Sequence, residues 1–227
     1  MPKENDAIPQ RMMPVLFLLA PVYCEEEGKL QKTIVKEIIA RLPNQTDGLC
    51  KFAFLKIGLR ATAQPDTLSD TLPQIQRSSI LDLDNAFSLL NQALSRKTML
   101  DRGPGAYLPL LIYVGNCNQD ISKEIQHLND NKWSQRSTRM AICFREESKQ
   151  YLSQFCRDPE ACFCADNEKS VFSTVDTIVF ACRPISISGS ILASPDENFV
   201  CVDPAEAYTS TDLLDDEYSG WLDDEWE

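Results

Sequence analysis

Leu16-Phe17-Leu18-Leu19-Ala20-Pro21-Val22-Tyr23-Cys24-Glu25-Glu26-Glu27 passes from an unbroken apolar run into an acidic segment that reads as the start of a helix. A short continuous run such as Pro14 to Ala20 is the pattern of a central parallel strand, covered on both faces. In an α/β protein, the loop after the first strand is where phosphate-gripping glycines or metal-gripping acids and hydroxyls usually sit. Here that loop holds alanine, proline, valine, tyrosine and cysteine. The stretch therefore predicts the mouth of a site without the residues that normally furnish one.

Working outward, Leu30, Ile34, Val35, Ile38, Ile39 and Leu42 recur at helical spacing, and Pro43-Asn44 ends that helix. Cys50 to Ile57 alternates Phe52, Phe54 and Leu55 with Lys51 and Lys56, a strand nearer the sheet edge. Residues 60 to 80, rich in Thr, Ser, Pro and Gln, predict a loop with a short strand. Leu83, Phe87, Leu90 and Leu94 mark a second amphipathic helix. Arg102-Gly103-Pro104-Gly105 is a break, and Leu108 to Val114 a second buried strand. Asp120 caps a helix carrying Ile121, Ile125 and Leu128, and Met140 to Phe144 is a third core strand. A helix over 146 to 156, a short strand near Ala161 to Ala165 and a last helix marked by Phe172, Val175 and Val179 complete the series. Strands alternating with helices at this spacing argue an α/β fold with a mostly parallel sheet covered on both faces.

The chain has 227 residues, 43% hydrophobic and 25% charged, enough for one large domain with an extension. No apolar run reaches the roughly 18 residues of a membrane span. Pro9, Gln10 and Arg11 precede an apolar run too short for a secretory signal, so the expected location is cytoplasmic. Nine cysteines, an odd count scattered through strand-like segments, read as buried small hydrophobes. The net charge is −12, yet the last basic residue is Arg183, and twelve acids lie beyond it. Residues 1 to 183 are therefore neutral, and the whole excess sits in a C-terminal interaction tail. A neutral body and an acidic tail disfavour nucleic acid. Arg102-Gly103-Pro104-Gly105 lacks the Lys-Ser/Thr partner of a phosphate loop.

The element order resembles the von Willebrand factor A (VWA) domain, especially the bacterial stand-alone type associated with tellurite resistance. Leu83-Asp84-Asn85-Ala86-Phe87-Ser88-Leu89-Leu90 is similar to that family's second helix, and Leu110 to Gly115 to its third strand. Phe172 to Ser190, with its Ser-rich end Ser186-Ile187-Ser188-Gly189-Ser190, is similar to the final helix and exit. The resemblance covers residues 12 to 190 and implies a three-layer, Rossmann-like fold. It also implies a metal-ion-dependent adhesion site, but the positions do not carry over. The family Asp-x-Ser-x-Ser falls on Ala20, Val22 and Cys24, its Thr near Leu81 beside Asp82, and the Asp of Thr-Asp-Gly on Val114. A hard divalent cation needs several oxygen ligands, usually including carboxylate. The expectation is that no metal binds there.

Other candidates weigh less. Cys156, Cys162 and Cys164 have C-x5-C-x-C spacing, which is not a standard zinc pair, and packing on one face of a short strand is the preferred reading. His127, the single histidine, lies beside an apolar stripe and reads as solvated. Cys24 would need a lowered pKa to act as a nucleophile, which Glu25, Glu26 and Glu27 oppose.

The tail is the stronger signal. Residues 212 to 227 hold two of the three tryptophans amid eight acids. Leu213, Leu214, Tyr218, Trp221, Leu222 and Trp226, interleaved with Asp215, Asp216, Asp223 and Asp224, suit a segment that docks in an apolar groove rimmed by Lys or Arg. The sequence thus predicts a flexible N-terminus over 1–11, a VWA-like domain over 12–190 and an acidic aromatic tail over 191–227. Its expected role is non-enzymatic, without metal or cofactor: a scaffold or regulator that binds a protein partner through the tail and the VWA-like body. The resemblance implies a kinase, phosphatase or AAA-type ATPase as that partner. The alternative is an acidic inhibitor, or a nucleic-acid or substrate mimic, that blocks a basic cleft.

Overall fold

A computed structural model describes residues 12–45, 49–58, 67–74, 81–94 and 108–182. Within them the chain runs β1 (Met12–Leu19), α1 (Glu25–Arg41), β2 (Leu49–Lys56), β3 (Thr67–Ser69), α2 (Leu83–Ala93), β4 (Leu110–Val114), α3 (Ser122–Asn129), α4 (Lys132–Arg136), β5 (Thr138–Cys143), α5 (Glu146–Leu152), β6 (Cys162–Cys164) and α6 (Glu168–Ala181). The strands form one sheet in the order β3-β2-β1-β4-β5-β6. All pairings are parallel except β2 with β3, which are antiparallel.

The apolar run that opened the sequence reading is buried because β1 lies inside the sheet, between β2 and β4. Its side chains alternate between two cores. Val15, Phe17 and Leu19 meet Ile34, Val35 and Ile38 of α1 and Val171, Val175 and Ile178 of α6. Leu16 and Leu18 face the opposite layer, with Phe87 and Leu90 of α2, Leu128 of α3 and Leu152 of α5. Phe17 stacks on Phe54 at 5.5 Å, and Phe87 meets Phe155 edge-on at 6.1 Å. Burying each such side chain contributes about 1.5–3 kcal/mol, so the double-sided β1 anchors the fold.

Glu25, Glu26 and Glu27 in the first turn of α1 complement its positive end. Asn167 and Ser170 form a reciprocal capping box at the start of α6. Asp120 caps α3 from outside its first turn, its Oδ1 accepting from the Ser122 amide and hydroxyl.

Two expectations need correction, and one helix was not foreseen. The helix expected over 146 to 156 ends at Leu152. Phe172 marks α6 but not its buried face: it is 45% exposed, while Val171, Thr174, Val175, Ile178 and Val179 point inward. Between α3 and β5 the chain forms α4, which lacks the length to show a period and starts where Asn131 accepts from the amides of Trp133 and Ser134. The break at 102–105, residues 1–11 and residues 191–227 lie outside the described residues.

Candidate functional site

In open α/β sheets the ligand crevice lies beyond the carboxyl ends of the strands, where the chain order reverses. Here that point falls between β1 and β4. The positions matched to the metal ligands converge there, and their side chains are packed. Ala20, Val22, Leu81 and Val114 are 2%, 1%, 3% and 0% exposed. Asp82 is half-buried and precedes α2, its amide donating to the Gly58 carbonyl. Cys24, half-buried, stands just before α1 and makes no side-chain cap. That donor set does not fit a hard divalent cation.

What fills the space is a polar network that the sequence reading missed. Gln31, buried on α1, donates from Nε2 to the Ala20 and Val114 carbonyls, both at 2.8 Å. One amide thus ties together the ends of the two central strands. One turn earlier, Glu27 is 6% exposed and its carboxylate accepts from three donors. These are the Tyr23 amide at 2.7 Å, Asn116 Nδ2 at 3.2 Å and Arg145 Nε at 2.9 Å. Asn116 in turn accepts at Oδ1 from the Phe144 amide at 3.0 Å and the Ser148 hydroxyl at 3.3 Å. The Arg145 guanidinium lies 4.2 Å from the centre of the Tyr23 ring. The hydrogen bond to Glu27 raises the Arg145 pKa, and burial raises that of the Tyr23 phenol.

Gly115 completes the closure. It adopts φ +136, and a Cβ there would meet the Ala20 Cβ at 2.6 Å. Only glycine lets β4 turn this close to β1. The recess beside Ala20, lined by Leu19, Pro21, Gln31, Lys56 and Ile57 among others, measures about 10 Å³. That is space for one water at most.

A signal for the network was present in the sequence. Glu27 and Gln31 continue the stripe of Ile34, Val35 and Ile38 at helical spacing, so they occupy core positions of α1.

The other candidates separate. Cys162 and Cys164 share a face of β6, and the register sets Cys143 of β5 beside Cys164. Cys143 donates to the Phe163 carbonyl at 3.3 Å, and Cys156 to the Ala161 carbonyl at 3.4 Å. Hydrogen bonding to the Cys162 thiol, then burial, raises the Cys143 pKa, while burial first of all pushes Cys164 up to about 12. Such thiols are protonated and weakly nucleophilic. Among the described residues, no group of three or more His, Cys, Asp or Glu is arranged to hold a metal ion. His127 is exposed on α3. The tail positions Leu213, Leu214, Asp215, Asp216, Tyr218, Trp221, Leu222, Asp223, Asp224 and Trp226 lie outside the described residues. No described helix is long and apolar enough to cross a membrane.

No protein-family model matches the chain, and no curated protein sequence does either. Solved structures with a similar fold include the pilus adhesin SpaC from Lactobacillus rhamnosus GG, with TM-score 0.53 and 9% identity over 76% of this chain and 31% of that one. Proximal thread matrix protein 1 from the mussel byssus, with zinc occupied MIDAS motif, gives TM-score 0.48 and 16% identity over 75% and 46%. A von Willebrand factor type A protein from Catenulispora acidiphila gives 0.48 and 9% over 79% and 44%. The chain spans less than half the length of each of these structures.

Proposed function

We propose, taking as premise that the chain has a VWA-type α/β fold, that it is a non-enzymatic protein-interaction module working without a metal bridge. The observation that carries this reading is the closed carboxyl end of the sheet. Ala20, Val22, Leu81 and Val114 offer no side-chain oxygen, and Glu27 is already committed to Tyr23, Asn116 and Arg145. A module of this kind has to present its recognition chemistry elsewhere. The acidic aromatic segment 208–227 supplies it, with Trp221 and Trp226 as anchors and the carboxylates steering encounter with a basic-rimmed apolar groove. The role that follows is a scaffold or regulator in a bacterial multi-component system, its partner a kinase, phosphatase or AAA-type ATPase.

The charge asymmetry favours a second reading, in which the acidic end blocks a basic cleft as an inhibitor or substrate mimic. Salt separates the two. Complexes held by charge weaken steeply as ionic strength rises, and an aromatic anchor loses less. Deleting residues 208–227 abolishes capture of the partner and leaves the melting of the body unchanged. Capture that survives the deletion overturns the reading.

A further inference from the structure

At the opposite end of β5 from the closed crevice lies a buried cation that the fold does not neutralise. Arg139 is paired in register with Leu111 and is 4% exposed. It shares an inward-facing register with Ala141 and Cys143, under the layer that holds α3 and α5. Its Nη2 donates to Asn129 Oδ1 at 2.8 Å, the Ser134 carbonyl at 2.9 Å and the Ser134 hydroxyl at 2.8 Å. Every one of these acceptors is neutral. The Nε–H is buried and has no partner among the described residues.

The charge of a second arginine acts on Arg139. Arg157 is exposed in the turn after α5, and its charge opposes that of Arg139. Burial, then Arg157, holds Arg139 down to about 10, and burial lowers Arg157 as well. Among the described residues, no carboxylate pairs with either one. The next residue, Asp158, turns its Oδ1 to the Glu160 amide at 2.9 Å instead.

Arginine keeps its proton at neutral pH, so it cannot escape this position by neutralising. A desolvated charge without a counter-ion costs several kcal/mol, and a buried donor without an acceptor adds to that. One group removes both costs, an oxyanion that accepts from Nε of Arg139 and from the exposed fork of Arg157. The planar guanidinium matches carboxylate and phosphate geometry.

We infer that Arg139 and Arg157 form a binding site for a small oxyanion, phosphate or carboxylate, at the amino-terminal end of β5. The near-complete burial of Arg139 restricts the ligand to an ion or to the tip of one side chain. Two sources share this chemistry: free phosphate, and a carboxylate of the chain's own acidic C-terminal segment. The site stands independently of the partner-binding role of that segment.

The test is a titration of the full-length protein with inorganic phosphate against chloride at matched pH and ionic strength, read by thermal melting and calorimetry. The expected result is a saturable rise in Tm, about 4 °C at ten times Kd. Arg157→Gln, at an exposed position, should weaken phosphate binding about tenfold. Arg139→Gln should abolish the response. If that variant does not fold, Arg157→Gln alone carries the test. A full-length variant with Asp215, Asp216, Asp223 and Asp224 changed to Asn separates the sources. Unchanged phosphate affinity assigns the site to free anions, and tighter phosphate binding assigns its resident to the tail. No saturable response in either the wild type or the four-Asn variant, meaning that water meets Nε, overturns the inference. So does a response of equal size in Arg157→Gln.

Discussion

Arg145 and Arg139 flank the two ends of one strand and meet opposite fates. Arg145, beyond the carboxyl end of β5, is half-exposed, hydrogen-bonded to a buried carboxylate and stacked on Tyr23. Its proton is held more tightly than usual. Arg139, near the amino end, is buried among neutral acceptors and held down to about 10. The carboxyl end, where related folds place ligands, is thus electrostatically complete within the chain. The amino end is not. A sheet of this topology can fill the crevice at its carboxyl end with its own side chains and leave a buried charge unpaired toward its other end.

The sharpest way to break the closed end is Gly115→Ala. The new Cβ would collide with Ala20 at a φ that L-residues avoid, so unfolding free energy should fall by about 3–4 kcal/mol in urea titration. Ala20→Gly in the same chain should restore part of the loss, because it removes the collision and leaves the φ strain. Next in size is Glu27→Gln, which takes the charge from a carboxylate serving Tyr23, Asn116 and Arg145. A loss of about 2–3 kcal/mol is expected, and a loss below half of that would mean the network is ornamental. Gln31→Leu keeps the volume and strips the two bonds to the strand-end carbonyls. It should cost about 1–2 kcal/mol, with faster hydrogen exchange at the β1 and β4 ends. Arg145→Met should cost under about 1 kcal/mol, since solvent screens the half-exposed guanidinium. If it costs more than Glu27→Gln, the order of the network is inverted.

An exposed carboxylate sets the lower end of the series. Hydrogen bonds from Ser122 hold the Asp120 pKa below its ordinary value. Because the folded pKa lies below the unfolded one, the stabilisation is complete above the ordinary carboxylate range. It disappears as pH falls through the lowered folded value. An NMR titration should place the Asp120 midpoint below that of a free aspartate, and Ser122→Ala should move it back up.

Legibility in the sequence followed the range of the interactions. β1, α1, α2, β4 and β5 could be read because apolar period and burial coincide over several residues. α4 could not, because five residues held by one Asn131 cap show no period. Phe172 misled because an aromatic in an apolar helix reads as core, while the neighbouring Val171 takes that position. The apolar residues at the positions matched to the family's metal ligands were visible as single letters, but the polar network beside them was not. Glu27 meets Asn116 and Arg145 across 89 and 118 positions of chain, and only the fold brings them together. Arg139 was missed, because the strand expected over Met140 to Phe144 begins at Thr138 and so carries Arg139 on the face of Ala141 and Cys143.

The central claim, that the carboxyl end of this sheet is closed to cations, is tested most directly by Mn²⁺ titration of the full-length protein, followed by water-proton relaxation. The account predicts weak, unsaturating uptake by the acidic tail, identical in wild type and Glu27→Gln. One tight, saturable site that disappears in Glu27→Gln would contradict it.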